Sequence, residues 1–306
     1  MKSKIKLRRK FSAESLIFHT FNYVFLALLC IAMLYPIINT IAVSFNDGLD
    51  AVRGGIGLWP RTFTLDNYRT VLGMHTILDA FWMSVYRTVV QVVTNIVVTS
   101  MLAFALSRRE FKPGRPIALI FVLTMYFNAG LIPNFILIQS LGMVNTFAVY
   151  WVPTMISAFN LIIMRTYMRT IPEALLESAR LDGASDFRTY LQIVMPLSKP
   201  VLATVALFVA VGAWNTWFDA FIYNSGAQHL SVLQYELQRV LASAMMQGQQ
   251  SSQSSQAAQA GMGLSMVTPQ TIRATITVVA AVPILIVYPF LQRYFVHGVQ
   301  LGGVKE

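Results

Sequence analysis

Between Pro172 and Pro196 the chain reads PEALLESARLDGASDFRTYLQIVMP, where Glu177 and Asp182 can accept hydrogen bonds or pair with basic groups and Gly183 permits a sharp turn. Carboxylates form charge-assisted hydrogen bonds about twice as strong as neutral ones, and glycine takes the left-handed turn that ends a helix cheaply. A second group lies in GAWNTWFDAFIYN (212–224), with Trp214, Asn215, Trp217, Asp219 and Tyr223, and is joined by Asn128 of FNAGLIPNF (127–135). Amides and carboxyls bond hydroxyls and aromatic faces stack on C–H surfaces, which is how a polyhydroxylated solute is held. The same residues also fit a plainer use, since Trp and Tyr gather at membrane interfaces and Asn bonds neighbouring helices. Gly130 and Pro133 beside Asn128 break or kink a helix, either to line a cavity or merely to pack. Covalent chemistry is not expected. His19, His75, His229 and His297 are scattered outside any HExxH or GxSxG setting, and no GxxxxGK[ST] loop could cradle phosphates. The expectation is therefore no enzyme, no catalytic residue, no metal and no cofactor bound by this chain.

The elements that must position these residues are membrane helices. Of 306 residues 56% are hydrophobic and 12% charged, with a mean hydropathy of +0.58, against about a quarter charged in soluble domains. A transmembrane helix needs roughly 20 mainly apolar residues. Six candidates appear near 20–45, 84–107, 117–139, 147–165, 200–222 and 274–292, so the fold expected is all-α and polytopic. Cys30, alone, excludes an intramolecular disulfide and reads as packing. MKSKIKLRRK could open a secretory signal, yet the apolar run from Tyr23 to Phe45 exceeds a signal core, so a retained helix is expected.

Basic residues are retained on the cytoplasmic side of short loops. The segments 1–17, 107–116, 165–199 and 293–306 hold 17 of the 23 Lys and Arg, so these segments and both termini are expected in the cytoplasm. The net charge of +10 then lies where anionic lipid headgroups are, and membrane lipid explains it without nucleic acid. The expected organisation is a basic N-terminus (1–19), a membrane domain (20–296) and a cytoplasmic tail (297–306). Extracytoplasmic loops would occupy 46–83 and 225–273, with a cytoplasmic loop at 170–196.

Within that cytoplasmic loop, Thr170 stands three residues before Glu173 as in a capping box, and Pro172 suits a first helical turn. Gly183 ends the helix, Ser185 or Asp186 caps a second, and Phe187, Tyr190, Leu191 and Val194 form its apolar stripe until Pro196 stops it. The predicted result is a helix, a glycine turn and a second helix, with carboxylates and small residues such as Ala179 outward.

This loop resembles that of the membrane subunits of ATP-binding-cassette importers, which carries Glu-Ala-Ala, three residues, Gly, nine residues, Ile, one residue and Leu-Pro. Here Glu177, Ser178, Ala179, Gly183, Ile193, Met195 and Pro196 keep that spacing, with Ser178 and Met195 as the departures. LWPRTFTLDNY (58–68), LSRREF (106–111), GLIP (130–133), DGAS (182–185), WN (214–215) and the tail QRYFVHGVQLGGVK extend the likeness to the carbohydrate-importer branch, over nearly the whole chain. The tail and the opening basic segment look most similar to permeases paired with lipoproteins that bind oligosaccharides or polysaccharide fragments. The resemblance implies the type I importer permease fold in a bacterial cell membrane, with Glu177, Ser178, Ala179, Asp182, Gly183, Ile193 and Pro196 docking as a coupling helix on a separate ATPase. It also implies two ATPase subunits that carry ATP and Mg, a second homologous permease, most simply a different chain, and an extracytoplasmic solute-binding protein or lipoprotein.

A motor-independent channel or secondary transporter for a small polar solute is the competing class. Such proteins usually bury ionisable residues at mid-membrane, whereas the six spans hold only Arg87 and Asp219, both near the predicted outer ends where snorkelling or hydration tolerates them. In the loop 225–273, Leu233, Leu237, Val240, Leu241 and Met245 predict an amphipathic helix, followed by a Gln/Ser-rich linker at 247–260. That helix reads equally as a docking surface or a membrane lid, and loop 46–83 as a small cap or a connection.

Overall fold

The computed structural model describes residues 13–240, 242–243 and 267–300, leaving the basic first residues, the Gln/Ser-rich linker, Leu241, Met245 and the last six residues outside it. Among the described residues the chain is helical, with one isolated antiparallel bridge between Asn46 and Phe63. It divides into two compact units, Met1–Val71 with Gln256–Val278 and Leu72–Ser255 with Val279–Glu306.

In the first unit α1 (Ala13–Ser44) is apolar on every side, and its hydrophobic side chains from Leu16 to Ile41 are exposed in the isolated chain. A helix greasy all round belongs in lipid or against another membrane segment. Only its end packs, where Ala42 and Val43 meet Ala51, Ile56 and Ala274. The following loop is an ordered cap folded around Asn46, which is fully buried. The Asn46 Oδ1 accepts from the N–H groups of Arg61 (2.7 Å) and Thr62 (3.0 Å), and its Nδ2 donates to Asp50 Oδ2 (2.9 Å). That donation, with Arg61 beside it, holds the Asp50 carboxyl below its ordinary range. The short helices α2 (Gly48–Val52) and α3 (Asp66–Gly73) complete the cap, and Asn67 Nδ2 ties it to α1 by donating to Ser44 O (2.9 Å).

The second unit is arranged around α4 (His75–Ser107). The expected third span is two short apolar helices, α5 (Gly114–Thr124) and α6 (Leu131–Ser140), broken where Gly130 takes φ 86° and donates its N–H to Asn128 Oδ1 (2.9 Å). The fourth is likewise α7 (Ala148–Trp151) and α8 (Ala158–Met168), and the loop that follows holds α9 (Glu173–Leu181) and α10 (Asp186–Thr189). A π-helical turn (Tyr190–Val194) leads into α11 (Met195–Leu197). At Ser198 the chain bends by 80° into α12 (Lys199–Asn215), and α13 (Phe218–Tyr223) follows a break at Thr216 and Trp217. Helix α14 covers 233–240, and α15 (Pro269–Gln300) gives residues to each unit.

Among the described residues three helices, at Leu16–Ser44, His75–Ser107 and Pro269–Ile286, are long and apolar enough to cross a bilayer as single rods, and the bent pair at Ser198 is a fourth candidate. Helix breaks at membrane depth free backbone groups that must find partners. On α4 a polar stripe supplies them: Ser84 Oγ accepts from Leu233 N (2.8 Å), and Arg87 donates to Thr216 O (3.0 Å). Further along it Asn95 donates to Thr154 O (2.8 Å) and Thr99 to Met155 O (3.2 Å). The spacing of three or four residues puts Ser84, Arg87, Asn95 and Thr99, with Gln91 between them, on one helix face.

Candidate functional site

The knuckle at 172–196 is built on α9, which buries Leu176 and Ala179 and leaves Glu177, Ser178, Leu181 and Asp182 exposed. Its end is fully capped: Gly183 takes φ 78°, its N–H bonds Arg180 O (2.9 Å), and Ala184 N reaches back to Ala179 O (2.9 Å). These two bonds together are the Schellman termination that glycine favours. A Cβ on Gly183 would meet nothing within 4 Å, so the position requires backbone freedom and not space. Ser185 then caps α10 by accepting from Arg188 N (3.3 Å).

Several local expectations are corrected. Thr170 donates its hydroxyl to Tyr167 O (2.7 Å) instead of capping α9, and Pro172 is the capping residue itself, outside the first turn. Ala179 faces inward at 7% exposure, and the apolar side chains presented outward are Leu181, at 89%, and Leu175, at 46%. Of the predicted stripe, Tyr190 and Val194 are buried in the core with Leu176, whereas Phe187 and Leu191 are exposed. Ile193 packs partly buried against that core, and Pro196 sits exposed inside α11 without ending the path, which turns at the buried Ser198.

Residues of the 107–116 segment, which composition flagged only as basic, hold this knuckle. Arg109 pairs with Glu173 (3.3 Å) at the start of α9, and Arg180 pairs with Glu110 and, at 3.5 Å, with Asp186 of α10. The hydrogen bond from Arg180 holds the Glu110 carboxyl below its ordinary range and raises the Arg180 guanidinium in turn. Beneath them the Tyr190 hydroxyl meets Ser100 Oγ of α4 at 2.7 Å in the interior. The signal available beforehand was two arginines followed by a glutamate in LSRREF, with Glu173, Arg180 and Asp186 in the loop to pair with charges of that kind.

The second group of residues does not form one cluster. Trp214 is buried, its indole N–H donating to Ala280 O (2.9 Å) and its ring edge-on to Phe81. Asn215 donates to Val211 O (2.9 Å) on its own helix, Trp217 contacts the rings of Phe218 and Phe221, and Tyr223 stacks on Phe135. Asn128 is the turn residue at the α5–α6 break. Asp219 accepts from both Arg87 terminal nitrogens, at 2.6 and 3.2 Å, and the Arg87 guanidinium lies 4.5 Å from the Tyr150 ring centroid. With its side chain 2% exposed, Arg87 neither snorkels nor hydrates; it is locked into a joint that ties α4 to α7 and to the α12–α13 break. Leu233 and Leu237 of α14 are buried, which confirms an apolar face on that helix.

Residues 70–301 match the family of binding-protein-dependent transport system inner membrane components. The chain is 37% identical over 290 residues to the polygalacturonan/rhamnogalacturonan transport system permease protein YtcP of Bacillus subtilis (strain 168), covering 94% of this chain and 98% of that one. It is 34% identical to the protein LplC of the same organism, covering 94% and 95%. Among solved structures it is similar, at a TM-score of 0.81 and 28% identity over 93% of this chain and 98% of the other, to a bacterial ABC transporter involved in the import of the acidic polysaccharide alginate.

Proposed function

The chain belongs to the binding-protein-dependent transport system inner membrane components, and from that premise we propose that it forms half of the translocation path of an ATP-driven carbohydrate importer. The cargo is an oligosaccharide or polysaccharide fragment, supported by the names of similar proteins, which cover polygalacturonan/rhamnogalacturonan and alginate. The chain crosses the membrane six times, the broken helices α5–α6, α7–α8 and α12–α13 supplying three crossings, with both termini in the cytoplasm. A second permease, two ATPase subunits that bind ATP, and an extracytoplasmic binding protein complete the machine.

The observation that carries this reading is the knuckle: a rigidly terminated helix whose Glu177, Ser178, Leu181 and Asp182 are exposed, held by exposed ion pairs to the α4–α5 connection and, through Tyr190, by one buried hydroxyl contact to α4. A partner ATPase that takes this face can push on α4 through Tyr190 and Ser100. The far part of α4 is fixed at Arg87, so force enters at one part of the rod and is delivered at another. Ala179 and Ile193 seat the knuckle from inside, Pro196 and Ser198 set the bend into α12, and Asn128, Trp214, Asn215, Trp217, Asp219 and Tyr223 shape the broken spans beside the path. The test is reconstitution with the ATPase partners. Glu177→Lys should leave membrane insertion unchanged while abolishing ATP-dependent uptake, and a cysteine at Ser178 should cross-link to the ATPase. Uptake that persists without ATP hydrolysis would instead mark a motor-independent channel.

A further inference from the structure

Where α4 and α8 end, a cavity of about 850 Å³ opens beside the start of α9. Five of its lining side chains, Arg108, Arg109, Lys112, Arg115 and Arg169, are cationic, and Glu173 is the single carboxylate. Glu173 is engaged by Arg109 at 3.3 Å. Among the described residues no carboxylate lies within 4.0 Å of Lys112, Arg115 or Arg169. Arg108 sits over the Phe104 ring (5.3 Å), and its buried Nε has no hydrogen-bond acceptor. Like charges gathered in a concave space repel one another, and an anion that enters relieves them with charge-assisted bonds. The volume fits a small organic ligand better than a lone ion. From Arg115 the helix α5 leads away with Leu119, Ile120 and Leu123 exposed at 59%, 60% and 47%, an apolar strip continuous with the cationic one.

We propose that this cavity binds the phosphate headgroup of an anionic phospholipid, with the acyl chains lying along the exposed face of α5. Basic pockets between helices at the membrane surface recognise such headgroups, and the apolar strip selects a lipid over a free phosphate of the same charge. Because Glu173, the first residue of α9, shares Arg109 with the headgroup, occupancy and the seating of the knuckle are linked. The proposal rests on the membrane placement of α4 and α5 and not on the cargo, so its test reads lipid retention and not transport. The full chain, assembled with its ATPase partners in mild detergent, is titrated with phosphatidylglycerol, phosphatidylcholine or glycerol 3-phosphate, and bound molecules are counted by native mass spectrometry. Phosphatidylglycerol alone should be retained, and Lys112→Gln, Arg115→Gln and Arg169→Gln together should weaken it about a hundredfold, from roughly 1 kcal/mol per cation at a membrane surface. Equal retention of phosphatidylcholine, equal binding of glycerol 3-phosphate, or wild-type retention by the triple variant would overturn the proposal. Should the triple variant fail to assemble, single Arg115→Gln is compared with Arg115→Lys. Loss in the first and retention in the second supports the site, and no difference between them overturns it.

Discussion

The two charged joints of the second unit use the same chemistry in opposite surroundings. At Arg87 the guanidinium is 2% exposed, meets Asp219 at 2.6 Å and Thr216 O at 3.0 Å, and rests on Tyr150. At the knuckle the side chains of Arg109 and Glu173 are 85% and 38% exposed, and those of Arg180 and Glu110 are 34% and 63%. A buried charge whose partner is removed is left without compensation, whereas exposed pairs are screened and contribute little. The buried joint therefore holds one geometry where spans are broken. The exposed joints let the knuckle re-seat at little cost, as a part that receives and passes on force must.

The sharpest way to break this comparison is Arg87→Met, which leaves the Asp219 carboxylate without its counter-charge, with only the Ala220 N–H (2.9 Å) still donating to it, and should cost about 3–5 kcal/mol in thermal unfolding of the detergent-solubilised protein. Arg87→Met with Asp219→Leu should recover most of that loss; a single variant as stable as wild type would put Arg87 among the replaceable pairs. Next is Gly183→Ala, where the left-handed backbone at φ 78° should cost about 1–2 kcal/mol although the site has room for the methyl group. Gly183→Asn should cost less, and equal losses would show that space and not backbone governs the turn. Tyr150→Phe keeps the ring under Arg87 and removes the hydroxyl's 2.6 Å bond to Leu230 O, for a loss of about 1 kcal/mol by the same measurement.

What could be read beforehand was local in the chain. The glycine turn at 183, the cap at Ser185 and the break near Gly130 each follow from residues within a few positions, and each is present. What escaped was long-range. Arg87 and Asp219 lie 132 positions apart, and each alone near a span end looks like a snorkelling charge. The capping box failed for a related reason, because Thr170 had a nearer acceptor in Tyr167 O, and Ala179 turned inward because Leu176 fixed the buried face of α9. The polar stripe of α4 was missed although its signal is local: Ser84, Arg87, Gln91, Asn95 and Thr99 recur at helical spacing in an apolar span, which marks a face that must serve broken neighbours.

The smallest effect expected is at Glu110, and it sharpens the comparison most finely. Its carboxyl is held below the ordinary range by the hydrogen bond from Arg180, so its folded-state value lies under its unfolded one. A group depressed in this way lends its contribution above the unfolded value, ordinarily about 4.3, and loses it as pH falls through the folded value. Between pH 5 and pH 8 the pair should therefore be insensitive to pH, and its only sensitivity there should be to salt, since the screening length between exposed charges falls from about 10 Å at 0.1 M to about 3 Å at 1 M. Amide hydrogen exchange across α9, followed from low salt to 1 M, should quicken in the wild-type protein and quicken less in Glu110→Gln, where only Arg109–Glu173 and Arg180–Asp186 remain to be screened. The same titration at the Arg87 joint should leave exchange of the neighbouring α4 amides unchanged, because salt does not reach a guanidinium closed off from water. If salt loosens both regions alike, the buried joint is wetter than its exposure implies, and the division between a fixed joint and a re-seatable one is lost.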